Sequence, residues 1–287
     1  MSLSQNNGIG NFQNKINTSP IGIFDSGVGG LTVLKAVCKY MPNENVVYFG
    51  DTNRVPYGQR SKEEIIKYAT QAINFLKSKG AKVILIACGT ATSYISYIKD
   101  IFGEKIPIFG IIEAASNKAV EATHNGKIGI MCTPVSAKVG LYEKSILKLR
   151  QDCKVYTVGC PILAPVIEKG VTDKNYDRID VAVKLYVDSL TEHNVDTIIL
   201  GCTHYPIIKD MIKNHAGDDV CLIDPGEAVA NLLKSELENL NIETQAFDKG
   251  NADFFVSGDT QKFSLSAKHI LEMDCVPVVV KIDIEKY

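Results

Sequence analysis

Short apolar segments alternate with segments of helical periodicity along the chain from residue 21 onward. The apolar runs are 21–24, 46–49 and 83–87, and the segments between them are 31–40 and 63–79. One face of the helix predicted at 63–79 carries Ile65, Ile66, Ala69, Ala72, Ile73 and Leu76. Uniformly apolar strands that alternate with helices are typical of parallel sheets covered on both faces. The pattern therefore predicts an α/β fold with three layers.

The second half of the chain repeats this order of elements. Strands are predicted at 127–131, 155–159 and 197–200, and helices at 137–149 and 176–193. Three pairs of residues then correspond, at offsets of 107, 109 and 114 positions: Gly22 with Gly129, Gly50 with Gly159, and Cys88 with Cys202. A nearly constant offset favours an internal duplication over two unrelated α/β halves. We therefore expect two pseudo-symmetric domains with mostly parallel sheets.

The remaining segments set the expected domain boundaries. Long helices are predicted outside the repeat at 113–126 and 225–239, where either could cross between the domains. Strands at 254–256 and 276–280 would return to the first domain. The first domain is then expected at 21–113 plus 226–287, and the second at 114–225. Residues 1–20 are rich in Asn, Gln, Ser and Gly and lack an apolar core, which predicts a disordered leader and no signal peptide.

Charge and cysteine content narrow the class of protein. The 31 Lys and Arg against 33 Asp and Glu give a net charge of -2, which argues against a nucleic-acid-binding or basic membrane-surface protein. No apolar run reaches the ~18 residues of a membrane helix. Without secretion the compartment is a reducing cytoplasm, so eight cysteines do not imply disulfides. Most of them are interpreted as small buried residues, whereas Cys88, Cys160 and Cys202 stand where a strand runs into a loop.

Four polar segments stand at the carboxyl ends of predicted strands, where open parallel sheets bind their ligands. They are DSGVGG at 25–30, DTNRVPYG at 51–58, ACGTA at 87–91 and GCTHYP at 201–206. The turn at 27–30 is typical of an anion-binding turn, but it lacks the third glycine of a dinucleotide site and the lysine of a P-loop. Asp25 is equally suited to cap the helix that follows.

Cys88 and Cys202 each lie between a buried strand and the start of a helix. A helix dipole and free N–H groups lower the pKa of a thiol at such a position. Two reactive thiols that face each other across a cleft suit proton exchange at one carbon, because one thiolate removes a proton while the opposite thiol delivers one to the other face. This reaction inverts a stereocentre without a cofactor. Asp25 and His204 are placed to assist Cys88 and Cys202 respectively.

Other chemistry fits these cysteines less well. Structural zinc needs four clustered ligands, usually with a C-x-x-C pair that this chain lacks. A cysteine hydrolase needs one thiol and not a matched pair, and a redox couple would leave no space for a substrate between the sulfurs. A pyridoxal-phosphate racemase needs a lysine in a phosphate-binding setting, which no lysine here has. We therefore expect no metal and no cofactor.

Together, the four segments resemble those of glutamate racemases, in the cofactor-independent aspartate/glutamate racemase superfamily. The resemblance covers 21–280 through IFDSGVGGLTVL, YFGDTNRVPYG, ACGTAT and GCTHYP in the right order. It implies two pseudo-symmetric α/β domains with the active site at their interface. It also implies that L- and D-glutamate are interconverted in the cytoplasm to supply peptidoglycan synthesis. The resemblance does not decide whether the protein forms a homodimer or has an activator site. Two alternative functions also remain, which are a related enzyme acting on aspartate or a hydantoin and a non-catalytic amino-acid-binding protein.

The resemblance also implies the roles of single residues. Cys88 and Cys202 would be the acid/base thiols, with Asp25 supporting Cys88, and with His204 and Glu168 supporting Cys202. The substrate would be bound by Asp25, Ser26, Pro56, Tyr57, Gly58, Gly89, Thr90, Thr203 and His204, whereas Cys160 would be structural. The family commonly has Asn where this chain has Gly89. The missing hydrogen bond, of about 0.5–1.5 kcal/mol, could lower affinity, be replaced by water or alter substrate preference.

Overall fold

Ten strands and twelve α-helices form the part of the chain that the structure, a computed structural model, describes, residues 18–287. The strands are β1 (Ile21–Asp25), β2 (Val46–Gly50), β3 (Val83–Ile86), β4 (Ile108–Gly110), β5 (Lys127–Cys132), β6 (Lys154–Gly159), β7 (Thr197–Gly201), β8 (Cys221–Ile223), β9 (Ala252–Val256) and β10 (Val279–Lys281). The helices are α1 (Leu31–Tyr40), α2 (Lys62–Ser78), α3 (Gly89–Thr92), α4 (Ile95–Phe102), α5 (Ile111–Ala122), α6 (Pro134–Val139), α7 (Leu141–Leu149), α8 (Leu163–Ile167), α9 (Asp173–Thr191), α10 (Lys209–Ala216), α11 (Pro225–Asn239) and α12 (Thr260–Ile270). Short 3-10 turns lie at Tyr57–Gln59, Gly103–Lys105, Tyr205–Ile208 and Ile284–Lys286.

The strands form two sheets with parallel pairing throughout, which confirms the predicted α/β class. The first sheet has the order β10-β9-β2-β1-β3-β4, and the second has the order β6-β5-β7-β8. Four strands of the first sheet therefore stand in the same order as the four strands of the second, of which the predicted repeat included three in each half. The C-terminal strands β9 and β10 extend the first sheet, as expected from their sequence.

The repeat is longer than the sequence pattern indicates. Helix α5 follows β4 in the first sheet, and α11 follows β8 in the second. The prediction that these two helices lie outside the repeat is therefore wrong, because they are corresponding elements. The pattern misses the correspondence because β4 and β8 have only three residues each, too few for a recognisable apolar run.

One apolar core lies between the two sheets. The first sheet contributes Ile21 and Ile23 of β1, and the second contributes Ile128, Ile130 and Ile199. Helices α1, α5 and α11 fill the space between them. The outer face of the first sheet packs on α2 and α4, and that of the second packs on α9 and α10. Each sheet is thus covered on both faces, which explains why its strands are apolar at successive positions.

Local signals account for the ends of individual helices. Helix α2 begins after Ser61, whose hydroxyl accepts from Glu64 N while the Glu64 carboxylate accepts from Ser61 N, so the two residues form a capping box. The single helix predicted at 137–149 is instead two, α6 and α7. Gly140 lies between them at a φ of 65°, a left-handed conformation that ends α6.

The N-terminal segment is described only from residue 18, so most of the predicted leader lies outside the described residues. Within it, the carbonyl oxygens of Thr18 and Pro20 accept hydrogen bonds from Asn45 Nδ2 and Lys82 N. None of the described helices is long and apolar enough to cross a membrane.

A buried ion pair provides a test of how this fold is stabilised. Lys82 Nζ lies 2.6 Å from Glu44 Oε2, with side chains only 2% and 4% exposed, and Glu44 also accepts from Thr244 N. Glu44→Ala removes the carboxylate that is hydrogen-bonded to Lys82, although the charge of Glu243 still acts on that ammonium, and the expected loss is about 3 kcal/mol of unfolding free energy, the lower end for a broken buried pair. Urea unfolding would measure it. Glu121→Ala, which breaks the exposed pair with Lys118, is the control and should cost less than about 1 kcal/mol. Equal losses in both variants would contradict the prediction.

Candidate active site

A cavity of about 330 Å³ lies where the carboxyl ends of strands from the two sheets meet. The first sheet lines it with segments that follow β1, β2 and β3, and the second with segments that follow β5, β6 and β7. The lining includes every predicted substrate-binding residue except Asp25, namely Ser26, Pro56, Tyr57, Gly58, Gly89, Thr90, Thr203 and His204. Cys88, Cys202 and Glu168 line it as well. The structure thus brings Ser26 together with Lys262, which are 236 positions apart in sequence.

Cys88 is a buried thiol at the start of α3, directly after β3. Its Sγ donates a hydrogen bond to Ser26 Oγ at 3.5 Å. Burial, reinforced by the negative charge of Asp25, raises the pKa of Cys88 to about 12 against the effect of the Ser26 hydrogen bond. The prediction of a lowered thiol pKa is therefore wrong for Cys88, because removing the thiolate from water outweighs the dipole of a helix of only four residues.

Cys202 has a different set of neighbours. Its Sγ lies 3.6 Å from His204 Nδ1, and His204 Nε2 lies 2.5 Å from Glu168 Oε2. Burial opposes the protonation of His204, but its hydrogen bonds with Cys202 and Glu168 raise its pKa well above the usual value. Burial also raises the pKa of Glu168, and the hydrogen bonds from His204 and Val28 N outweigh it, so the net shift is downward. At neutral pH, His204 and Glu168 therefore form a buried ion pair beside Cys202.

The glycine-rich turn at 27–30 binds carboxylates of the chain itself. Val28 N donates to both oxygens of Glu168, at 3.3 and 3.2 Å, and Gly27 N donates to Asp25 Oδ2 at 2.8 Å. A Cβ at Gly27 would lie 2.5 Å from Glu168 Oε1, and one at Gly29 would lie 2.6 Å from His204 Nδ1. Glycine is required because the turn packs directly on groups carried by the second sheet.

Asp25 is completely buried beneath the cavity. Besides Gly27 N, its carboxylate accepts from Thr203 Oγ1 at 3.3 Å, so it contacts the segment that carries Cys202. Burial raises the pKa of Asp25, although His204 opposes the shift. Asp25 is not the N-cap residue of α1, because Gly30 occupies that position, although the Gly30 backbone N–H also acts on the Asp25 carboxylate at the start of the helix. No hydrogen bond between Asp25 and Cys88 occurs among the described residues; Asp25 acts on Cys88 through its charge.

Thr133 is a cavity residue that the sequence reasoning missed. Its Oγ1 lies 3.0 Å from Thr90 Oγ1, so the two hydroxyls join the two halves of the site. The repeat could have identified it, because the offset of 107 that relates Gly22 to Gly129 also relates Ser26 to Thr133. Cys160, expected to be structural, also lines the cavity, as do Lys169 and Lys262.

Gly89 occupies a position with no room for a side chain. A Cβ there would lie 2.8 Å from the carbonyl oxygen of Gly201, which is a backbone atom of β7. The segments that carry the two cysteines therefore contact each other directly at this point. An Asn at this position would require the Gly201 backbone to shift.

Among residues 18–287, no group of three or more His, Cys, Asp or Glu side chains is arranged to hold a metal ion. In the cavity, His204 and Glu168 are instead paired with each other, and Glu168 also accepts from Val28 N. The fold and the cavity thus define an α/β protein that carries matching thiols on two sheets, an arrangement suited to acid/base chemistry on both faces of a small molecule.

Comparisons with known proteins support this class of α/β protein with acid/base chemistry. The family described as Asp/Glu/Hydantoin racemase matches residues 30–233. Glutamate racemase 2 of Caldanaerobacter subterraneus subsp. tengcongensis is 40% identical over 275 residues, which cover 95% of this chain and 100% of that protein. The chain belongs to the Asp/Glu/hydantoin racemase family.

Solved structures show the same likeness. Glutamate racemase isoform RacE1 from Bacillus anthracis has a TM-score of 0.88 and 33% identity, over 93% of this chain and 98% of that one. Glutamate racemase from Francisella tularensis subsp. tularensis, in complex with D-glutamate, has a TM-score of 0.84 and 30% identity, over 94% of this chain and 100% of that one.

The raised pKa of Cys88 leads to a prediction about its reactivity. Only the thiolate reacts rapidly with iodoacetamide, so Cys88 should be among the slowest cysteines to react near neutral pH. The exposed Cys221 and Cys275 should react first. The rate at Cys88 should rise about tenfold per pH unit while the pH stays below its pKa. Peptide mass spectrometry would measure each site, with protein unfolded in urea as the control. Equal labelling of Cys88 and Cys221 in the folded protein would contradict the prediction.

Proposed function

We propose that this chain interconverts L- and D-glutamate without a cofactor, with Cys88 and Cys202 as the groups that exchange the proton on Cα. The observation that carries this proposal is the position of the two thiols, on matching loops after β3 and β7, in one cavity between the sheets. The relatives and solved structures that are named glutamate racemases support glutamate as the substrate.

The surroundings of the two thiols suggest which one carries the proton at the start. With a pKa of about 12, Cys88 is protonated at neutral pH. The imidazolium of His204, held by Glu168, stabilises a negative charge on Cys202. In one direction the Cys202 thiolate removes the Cα proton and the Cys88 thiol delivers its proton to the opposite face. In the other direction the two exchange roles.

Asp25 supports Cys88 through its charge. The negative charge of Asp25 raises the free energy of the Cys88 thiolate and therefore contributes to the raised pKa of Cys88. A thiolate of high pKa is a stronger base, so Asp25 helps Cys88 to remove a proton from a very weakly acidic carbon. Asp25 also accepts from Thr203, and this hydrogen bond orients the loop that carries Cys202.

The rest of the lining suits a small molecule with two carboxylates. The hydroxyls of Ser26, Thr90 and Thr203 and the backbone N–H groups at 57–58 and 89 are donors that would hold the substrate and a carbanion-like state. Lys169 and Lys262 add positive charge at the cavity, which attracts an acidic ligand.

The family resemblance suggests the cellular role. D-glutamate from this reaction would feed peptidoglycan synthesis in the bacterial cytoplasm. The two domains would be 21–113 plus 226–287 and 114–225, with the substrate between them. A homodimer is compatible with this role, and sedimentation would detect it.

Exchange in D₂O tests the reaction, the substrate and both thiols together. The wild-type protein should incorporate deuterium at Cα of either glutamate enantiomer and abolish its circular dichroism. Cys88→Ser and Cys202→Ser should each lower the rate of racemisation by about 10²-fold or more, and should lower the rate of deuterium exchange at Cα unequally for the two enantiomers, because each thiol faces one side of the carbon. Cys221→Ser, at an exposed site, is the control.

Several outcomes would contradict the proposal. Unchanged racemisation in both cysteine variants would exclude the two-thiol mechanism. Faster turnover of aspartate than of glutamate would favour the related racemase. Glutamate binding without deuterium exchange would favour a non-catalytic amino-acid-binding protein.

Gly89→Asn tests the departure from the family pattern. A Cβ there meets the Gly201 carbonyl, so the substitution should separate the two thiol-bearing loops and lower kcat/KM for glutamate about tenfold or more, the effect of overpacking by about 1–3 kcal/mol. Racemisation rates measured alongside Gly89→Ala, which adds the Cβ alone, would separate crowding from the amide. An increase in kcat/KM in the Asn variant would show that the amide is accommodated.

A further inference from the structure

The loop that follows β2 reaches the cavity through Pro56, Tyr57 and Gly58. Its short turn, Tyr57–Gln59, lacks a side-chain cap, so other contacts must hold it. Gly58 packs against the side chain of Thr133 in the second half, close enough that a Cβ on Gly58 would lie 3.2 Å from Thr133 Cβ. A small displacement of this loop would therefore change both the lining of the cavity and its contact with the opposite half.

Asp51, at the start of the loop, is completely buried. Its Oδ2 accepts from the Tyr57 hydroxyl at 2.5 Å and from Arg54 Nε at 2.7 Å, and its Oδ1 accepts from Ser257 Oγ at 2.7 Å. Asp51 thus fixes Tyr57 from behind the cavity. The position of the Asp51 carboxylate depends in turn on Arg54, which is its charged partner.

Arg54 is held from the other side by the C-terminal segment. Its Nη1 donates to Gln71 Oε1 at 2.6 Å and to Glu285 Oε1 at 3.1 Å. Gln71 Nε2 donates to Glu285 Oε2 at 3.1 Å, so three side chains form a closed set of hydrogen bonds. The Arg54 guanidinium also lies 4.0 Å from the centre of the Tyr68 ring.

The turn that carries Glu285 is firmly attached to the first sheet. Ile284 is buried in the core under α2, and Asp283 caps the turn through a hydrogen bond from Glu285 N. The Tyr287 ring packs edge-on against Phe75, with centroids 5.2 Å apart. These contacts bring the Glu285 carboxylate to Arg54, although the Glu285 side chain itself is 57% exposed.

We propose that Glu285 is a positioning residue for the cavity: through Arg54 and Asp51 it fixes Tyr57 and the loop that contacts the substrate. This inference rests on the proposed function. Glu285 does not contact the cavity, and neither thiol depends on it. Its loss should therefore weaken substrate binding much more than it slows proton transfer.

Arg54 has a property that makes it sensitive to Glu285. Its Nη2 atom is buried and makes no hydrogen bond to any described residue. A guanidinium that already lacks one partner has few remaining bonds to define its orientation. Removing the Glu285 carboxylate would leave Asp51 and Gln71 to hold it. The guanidinium would then be held less firmly, which would disturb the Asp51–Tyr57 hydrogen bond.

Steady-state kinetics with both glutamate enantiomers test this inference. Glu285→Ala should raise KM about fivefold, the effect of one hydrogen bond of ordinary strength, and leave kcat within about twofold. Glu285→Gln, which keeps an acceptor for Arg54, should fall between the wild type and Glu285→Ala. Asp188→Ala, which breaks the exposed pair with Lys184 far from the cavity, is the matched control and should change neither parameter.

A double-mutant cycle with Tyr57→Phe identifies the route of the effect. If Glu285 acts through the Tyr57 hydroxyl, Glu285→Ala should raise KM much less in the Tyr57→Phe background than in the wild type. Additive effects on KM, or a kcat that falls in parallel with the melting temperature while KM stays constant, would overturn the positioning role. An inactive wild-type protein would contradict the proposed function instead, so the two failures are distinguishable.

Discussion

The cavity forms where the carboxyl ends of strands from the two parallel sheets meet. They meet because both sheets pack against one apolar core. The core is built from β1, β5 and β7 with the helices α1, α5 and α11 between them. Each cysteine follows a strand that is buried on both faces, so the backbone of each cysteine is held in place by its sheet. The burial that stabilises the fold therefore also holds the loops of Cys88 and Cys202 in position relative to each other.

The same burial requires every charge in the site to have a compensating partner. Charges in a place without water are stable only where partners compensate them, and each carboxylate here has such partners. Glu168 has His204 and Val28 N, and Asp25 has Gly27 N and Thr203. Both sets of contacts join the first sheet to the second. The ion pair and hydrogen bonds that prepare the chemistry thus also fasten the two halves to each other.

Much of this arrangement could be predicted from the sequence, because apolar strands and one-sided helices have strong patterns. Helices α1 and α11 begin and end where predicted. The three-residue strands β4 and β8 were beyond the reach of such patterns, and Gly140 divides a helix whose apolar spacing continues across it. The high pKa of Cys88 could not be predicted from its place before a helix, since it depends on burial and on Asp25, far away in sequence. Likewise, only the folded chain brings Glu285 to Arg54.

The unequal neighbours of the two thiols have a thermodynamic consequence. Cys202 has an imidazolium beside it, whereas Cys88 has a hydroxyl and a nearby carboxyl group, so the free-energy profile along the reaction has no mirror symmetry. L- and D-glutamate nevertheless have the same free energy in water, which fixes their equilibrium constant at unity. Whatever advantage the asymmetry gives to kcat in one direction must therefore return as a proportionally higher KM in that direction. The two enantiomers can differ in how tightly they saturate the protein, but not in kcat/KM.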